Sequence, residues 1–190
     1  MEPRKFLEIM HVAEKLKDAT RHSYTSNGRH ESVAEHSWRI SLMAYFLKDE
    51  FPEIDMNKVI QMCLIHDLGE AFTGDIPTFD KTKHDEKMED IMLSAWVCSL
   101  PSPYREEMVE LYREMNERQT LEAKVYKAMD SLEALIQHNE ADISTWIPLE
   151  YALNLTYAND KVEFSPYLQA LRKEILKDTE KKIENSTKLD

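Results

Sequence analysis

The residues best equipped for chemistry are the seven histidines, and their surroundings divide them. His66 and Asp67 close an apolar run, Val59-Ile60-Gln61-Met62-Cys63-Leu64-Ile65, and a charged Asp67 at the end of a buried segment needs a partner. A second His-Asp pair, His84-Asp85, sits in Lys-Thr-Lys-His-Asp-Glu-Lys, where every neighbour is polar. The dipeptide alone therefore carries no weight, and its context does. His36 stands four and seven residues before Ile40 and Met43 and heads their apolar stripe, either as a satisfied core histidine or as a ligand. Asp130 shares a helical face with Ala123, Tyr126 and Ala134. The two alanines let another helix come close, so Asp130 reads either as an exposed acid or as a carboxylate facing the histidines. His11, His22, His30, His84 and His138 lie in polar or mixed surroundings and are expected to be solvated.

Together, His36, His66, Asp67 and Asp130 offer two imidazoles and two carboxylates, a set suited to a first-row divalent ion with positions left for water and substrate. Consecutive helical residues point about 100° apart, which lets His66 and Asp67 reach one ion lying between them. Glu70 follows His66 by four residues and shares its face if the helix continues, while Asp75 sits in the turn-like Thr73-Gly74-Asp75-Ile76-Pro77. A carboxylate just outside the ligand set can deprotonate a bound water or protonate a leaving oxygen. Solvation at a helix end is the plain alternative for both.

These side chains need helices to hold them, and helical periodicity runs through nearly the whole chain. Stripes at steps of three and four occur at Phe6, Leu7, Met10, Ala13 and Leu16, and at Ile40, Met43, Leu47 and Phe51. Ser32-Val33-Ala34-Glu35 fits a capping box that starts the second helix, and Asp55 can cap a third, central one. Further stripes fall at Met88, Ile91, Ala95 and Trp96, at Tyr104, Met108, Leu111 and Met115, at Leu121, Val125, Ala128, Leu132 and Leu135, and at Leu168, Leu171 and Ile175 after Pro166. Asn27-Gly28 is a hairpin signal whose flanks do not alternate, and it reads as a loop turn. The expectation is an all-α domain of about six to eight helices over residues 1–176, with a charged, fraying tail at 177–190.

Composition removes several functions. Three glycines in 190 residues exclude both the P-loop and the dinucleotide-binding fingerprint. A net charge of −12 repels nucleic acid and anionic lipid, although a small anionic substrate can be held where local cations override the mean field. Cys63 and Cys98 form no C-x-x-C pair and have apolar flanks, which suggests buried thiols and a cytoplasmic setting. The start, MEPRKFLEIM, has no apolar leader segment, and the Val59–Ile65 run is far short of a membrane span.

The order His36, His66-Asp67, Asp130 resembles the HD-domain phosphohydrolase superfamily. The strings Glu31-Ser32-Val33-Ala34-Glu35-His36-Ser37, His66-Asp67-Leu68-Gly69-Glu70, Thr73-Gly74-Asp75-Ile76-Pro77 and Glu122-Ala123-Lys124, leading to Lys127 and Asp130, resemble its branch with bacterial 5′-deoxynucleotidase and the eukaryotic HD-domain-containing protein 2 group. The resemblance covers roughly residues 5–175 and implies metal-assisted hydrolysis of a nucleoside 5′-monophosphate. It assigns His36, His66, Asp67 and Asp130 to a divalent ion such as Mn, Co or Zn. Glu70 becomes a catalytic acid, Asp75 a catalytic or substrate-contacting one, and Arg21 the group that orients the phosphate. His22, His36 and Asp130 also stand against the substrate. Residue 22 departs from the bacterial pattern, which has tryptophan there beside the sugar. A homodimer is implied as well.

Two rival readings remain. An all-α nucleoside triphosphate pyrophosphohydrolase would use Glu86-x-x-Glu89 and Glu107-x-x-Glu110, but the second pair lacks its expected Asp. Glu86 and Glu89 would alternatively line a second, magnesium site. A non-catalytic nucleotide sensor is the other rival, against which all four ligand positions and Glu70 are retained.

Overall fold

The computed structural model describes residues 1–186, which form α1 (Pro3–Glu14), β1 (Thr20–Tyr24), β2 (His30–Ser32), α2 (Val33–Phe46), α3 (Met56–Ile65), α4 (Glu70–Thr73), α5 (Lys83–Cys98), α6 (Tyr104–Glu117), α7 (Leu121–Glu140), α8 (Pro148–Thr156) and α9 (Pro166–Ser186). Apart from the single turn α4, these are eight helices of nine residues or more among the described residues, as the periodicity predicts. Capping side chains fix where the helices that carry the site begin. The Ser32 hydroxyl accepts from the Glu35 amide and the Glu35 carboxylate accepts from the Ser32 amide, so the expected capping box opens α2. Asp55 accepts from the amides of Asn57 and Lys58 and opens α3.

The core lies where α3 packs between α2 and α7. Ile40 from α2, Val59, Met62 and Cys63 from α3, and Val125, Met129 and Leu132 from α7 are fully buried there, and α9 closes it with Leu168 and Ile175. A smaller cluster of Leu16, Val33, Leu68 and Ala71 lies outside it, and the hairpin strand β1 packs against α7. No described helix is long and apolar enough to cross a membrane.

Four expectations need correction. Asn27 and Gly28 do lie in a hairpin loop, with Gly28 at φ +78° and β1 antiparallel to β2. Thr20 pairs with Ser32 and Tyr24 with His30, so β1 carries a surplus that bulges, and a bulged strand loses the period-2 alternation that would have revealed it. The stripe of α1 is not a core face: Phe6, Leu7 and Met10 are exposed, as are Met88 and Ile91 of α5. Cys63 is buried as expected, but Cys98, in the last turn of α5, is exposed. Finally, the chain does not fray at Lys177. It stays helical to Ser186, held by buried Thr179, which donates to Asn139 Oδ1 at 3.0 Å. The remainder of the expected tail lies outside the described residues.

The helix α8, which carried no recognised stripe, is fastened by a buried arginine. Arg172 donates from Nε to the Tyr157 carbonyl at 2.9 Å and from Nη2 to the carbonyls of Asn154 and Leu155 at 3.1 and 3.0 Å. These are the unsatisfied acceptors of a helix end, where a cation is favoured. We expect Arg172→Met to lower unfolding stability by about 3 kcal/mol in urea titration, and Arg172→Lys to recover little of it, because an ammonium has no planar fork to serve three carbonyls. Wild-type stability in Arg172→Met would refute this fastening.

Candidate metal centre

Four side chains, two from helices and two from the turn after α3, meet where α2, α3 and α7 come together. His36 Nε2 lies 3.1 Å from Asp130 Oδ1 and 3.9 Å from Asp67 Oδ2, while His66 Nε2 lies 2.9 Å from Asp67 Oδ2 and 3.7 Å from Asp130 Oδ1. Metal–ligand bonds of about 2.1 Å place neighbouring donor atoms roughly 3.0 to 3.4 Å apart, and the four distances straddle that range. All four expected ligands are thus brought together.

Each imidazole is held from behind so that Nε2 faces the centre. His36 is 0% exposed and its Nδ1 lies 2.5 Å from Glu133 Oε2. His66 Nδ1 lies 2.9 Å from the Cys63 carbonyl oxygen. Such partners fix ring orientation and tautomer in metal-binding histidines. His66 Nε2 is buried and makes no hydrogen bond, an orphaned atom that a cation would satisfy. The donor set fits a divalent ion on these grounds.

The helix does not continue through His66 and Asp67. α3 ends at Ile65, whose carbonyl accepts from Tyr112 Oη at 2.6 Å, and the chain tightens into i→i+3 bonds from Leu68 to Ile65 and from Glu70 to Asp67. Glu70 starts α4 rather than extending α3, yet it lines the same cavity as Asp67, Asp75 and Asp130. Gly74, at φ +75°, turns the chain out of α4 and brings Asp75 to that wall.

Arg21 and His22 lie between the two paired positions of the β1 bulge and both line the cavity, although neighbours in a regular strand point to opposite faces. Lys127 and Lys81 add cations: Lys127 Nζ lies 2.5 Å from Asp130 Oδ2, and Lys81 Nζ lies 2.6 Å from Glu89. Glu89 is thereby engaged, and Glu110 pairs with Arg113. Neither Glu86 nor Glu89 belongs to a cluster of ligand atoms among the described residues, so the expected second magnesium site gains no support.

His22 and His138 correct the sequence expectation that they are solvated. Both line the cavity and both face buried Glu150, at 2.6 and 3.3 Å. His11, His30 and His84 are exposed as expected. The sequence reading missed Glu133, His138, Glu150 and Asn154. Only Glu133 carried a usable signal, since it follows Asp130 by three residues and so shares its helical face.

The electrostatics are those of an acidic pocket. Burial opposes the charge on Asp67, but His66 and then His36 overcome it and hold the carboxyl at about 2. Burial likewise opposes Asp130, and Lys127, His36 and His66 hold it well below the usual carboxylate range. Burial works against a protonated His66, yet Asp67 and Asp130 push it up to about 10. Glu70, 6% exposed, is pushed up to about 9 by burial, with Asp67 and Asp75 adding repulsion. Burial also raises Asp75.

Proton release must therefore accompany metal uptake. His66 holds a proton below about 10 and must lose it to offer Nε2, so metal affinity rises with pH across the interval from 7 to 10. We expect about a tenfold gain per pH unit for each proton displaced, read by calorimetric titration in buffers of different ionisation enthalpy. A pH-independent affinity with no proton release would contradict the coupling.

Comparison with known proteins agrees with this geometry. The HD domain family model matches residues 13–172. The chain is 30% identical over 141 residues to human 5′-deoxynucleotidase HDDC2, covering 72% of this chain and 68% of the human protein. It is 31% identical over 145 residues to the HDDC2 5′-deoxynucleotidase of Dictyostelium discoideum, covering 71% and 76%. In three dimensions it is similar to the crystal structure of a "predicted metal-dependent phosphohydrolase" from Magnetospirillum magnetotacticum, with TM-score 0.79, 26% identity and coverage of 94% and 95%. With four matching donors converging inside that span, the chain belongs to the HD domain family.

Proposed function

We propose that this chain is a divalent-metal-dependent phosphomonoesterase that removes the 5′-phosphate from nucleoside 5′-monophosphates. The observation that carries the reading is a single cavity lined by Asp67 and Asp130 of the four-donor centre, by the cations Arg21 and Lys127, by buried Glu70 and by half-buried Asp75. The resemblance of its relatives' names to this activity supports it.

When bound, the ion supplies Lewis acidity toward a phosphate oxygen and lowers the pKa of a coordinated water. His36, His66, Asp67 and Asp130 would hold it. Arg21 lines the cavity as a planar donor fork, and although its burial disfavours charge, Glu133, Asp67, Glu31 and Asp130 hold it more firmly protonated than usual. That makes it the phosphate-orienting group in an otherwise acidic protein. Water oxygen attacks phosphorus, the P–O5′ bond breaks, and the leaving nucleoside oxygen needs a proton. Glu70 Oε2 is buried without a partner, and burial with the repulsion of Asp67 and Asp75 pushes its carboxyl up to about 9. It is the proton donor in this reading, with Asp75 beside it against the substrate. A cytoplasmic setting, in keeping with the two free cysteines, and a homodimer, from the family resemblance, complete the proposal.

The test is phosphate release from nucleoside mono-, di- and triphosphates with manganese, cobalt, zinc and magnesium supplied separately. Release from monophosphates is expected, whereas pyrophosphate release from triphosphates alone would favour the rival reading. Asp67→Ala should lose metal and activity together. Glu70→Ala should keep its metal while kcat falls by roughly a hundredfold or more. Loss of metal in Glu70→Ala, or near-normal turnover, would show that the role is misassigned.

A further inference from the structure

Glu31 alone faces the surplus of β1. It lies on β2 between Ser32, which pairs with Thr20, and His30, which pairs with Tyr24, so one residue stands opposite Arg21, His22 and Ser23. Glu31 is 2% exposed, and its Oε2 lies 3.6 Å from Arg21 Nε and accepts from Ser23 Oγ at 3.1 Å. Arg21 is its one ion-pair partner among the described residues. The four-donor centre does not include it.

The dependence is mutual. Glu31 is the one ion-pair partner of Arg21 among the described residues, and no hydrogen bond there holds the guanidinium. None of its nitrogens is both buried and unpartnered, so the planar fork stays open in the cavity that Arg21 lines. Asp67 and Asp130 line that cavity as well and attract the same charge. A long, flexible cation among several carboxylates has several places to rest. A carboxylate fixed beside Nε selects one of them and leaves Nη1 and Nη2 for a phosphate, and Ser23 fixes the carboxylate in turn. Groups held in place before a ligand arrives lose less freedom on binding it.

Resting on the phosphomonoesterase reading above, we propose that Glu31, braced by Ser23, is a positioning residue that aims the Arg21 guanidinium at the substrate phosphate. Support of the histidine ligand from behind is the competing role, because ligand atoms of Glu31, His36 and Glu133 lie within 4.8 Å of one another. Both ring nitrogens of His36 are already engaged, however, Nδ1 with Glu133 at 2.5 Å and Nε2 with Asp130 at 3.1 Å. Neither is left for Glu31. Burial and the repulsion of Glu133 push the Glu31 carboxyl up to about 7 despite Arg21, so measurements on the charged pair belong near pH 8.5.

The experiment titrates inorganic phosphate calorimetrically into the manganese-loaded wild type, Glu31→Gln, Arg21→Ala and the double variant, with metal content and dAMP kinetics measured on the same samples. Glu31→Gln keeps the shape and an acceptor for Ser23 but loses the charge. It should weaken phosphate binding by about tenfold and raise KM to match. Metal content and kcat should stay nearly unchanged, because the phosphate contact exists both before and during the reaction. Arg21→Ala should weaken binding at least as much, and adding Glu31→Gln to it should cost nothing further. That non-additivity separates the aiming of an arginine from a merely structural role. Ser23→Ala removes only the brace, should weaken binding by about threefold, and carries the same test if Glu31→Gln does not fold. Wild-type phosphate affinity in Glu31→Gln overturns the proposal, as does a full additional loss in the double variant or a loss of bound metal in Glu31→Gln. The binding cycle needs no turnover. Coupling of Glu31 with Arg21 toward phosphate, in a protein that hydrolyses no nucleoside monophosphate, would sink the phosphomonoesterase reading and leave the positioning role standing.

Discussion

Two imidazoles sit among more buried and half-buried carboxylates than fixed cations can balance. Glu31 and Glu133 stand behind His36, Asp67 and Asp130 in front of it and His66, and Glu70 and Asp75 beyond. Arg21, Arg39, Lys127 and Lys81, the last shared with Glu89, are the fixed charges against them. Separating a carboxylate from water is expensive unless a partner answers it, and here the protein answers by holding protons on groups that would normally release them. Burial and Glu133 push Glu31 up to about 7 despite Arg21, Glu70 stands at about 9, and His66 keeps its proton to about 10. A pocket so arranged is set to exchange protons for a divalent cation. That exchange links the fold to the chemistry.

Each local irregularity in the fold serves this pocket. The capping box places His36 one turn inside α2, the break after Ile65 presents His66 and Asp67 from the end of α3, and the long α7 carries both Asp130 and the Glu133 that steadies His36. The β1 bulge delivers Arg21 and His22 to one wall, and Gln137 of α7 ties the hairpin down by donating to the Tyr24 carbonyl at 2.6 Å. The helices α2 and α7 and the turn after α3 supply the ion ligands, while the hairpin and the segment from Glu70 to Asp75 supply groups that meet the substrate.

The sequence revealed what periodicity governs. His36, His66 and Asp67 stand out because charged or ionisable residues interrupt apolar helical stripes, and Asp130 because it faces two alanines. Glu133 escaped notice because attention to metal ligands leaves out the groups behind them. The hairpin escaped because five residues of β1 span what three of β2 span, which destroys alternation. Glu150 and His138 escaped for a different reason. They meet only through the packing of α8 against the hairpin side of the cavity, and no spacing along the chain encodes a contact between residues 22 and 150. The faces of α2 and α7 were legible along the chain, those of α1 and α5 were not, and where tertiary closure decides position the chain gives no local sign.

The central claim is that four donors, two on α2 and α7 and two in the turn after α3, take up one divalent ion. Anomalous diffraction at the absorption edge of a loaded manganese, cobalt or zinc ion tests it most directly. The account requires one peak within roughly 2.0 to 2.3 Å of His36 Nε2, His66 Nε2, Asp67 Oδ2 and Asp130 Oδ1, with Glu133 still bonded to His36 Nδ1. An ion bound elsewhere, with His36 and Asp130 more than about 10 Å apart in the loaded protein, would contradict it.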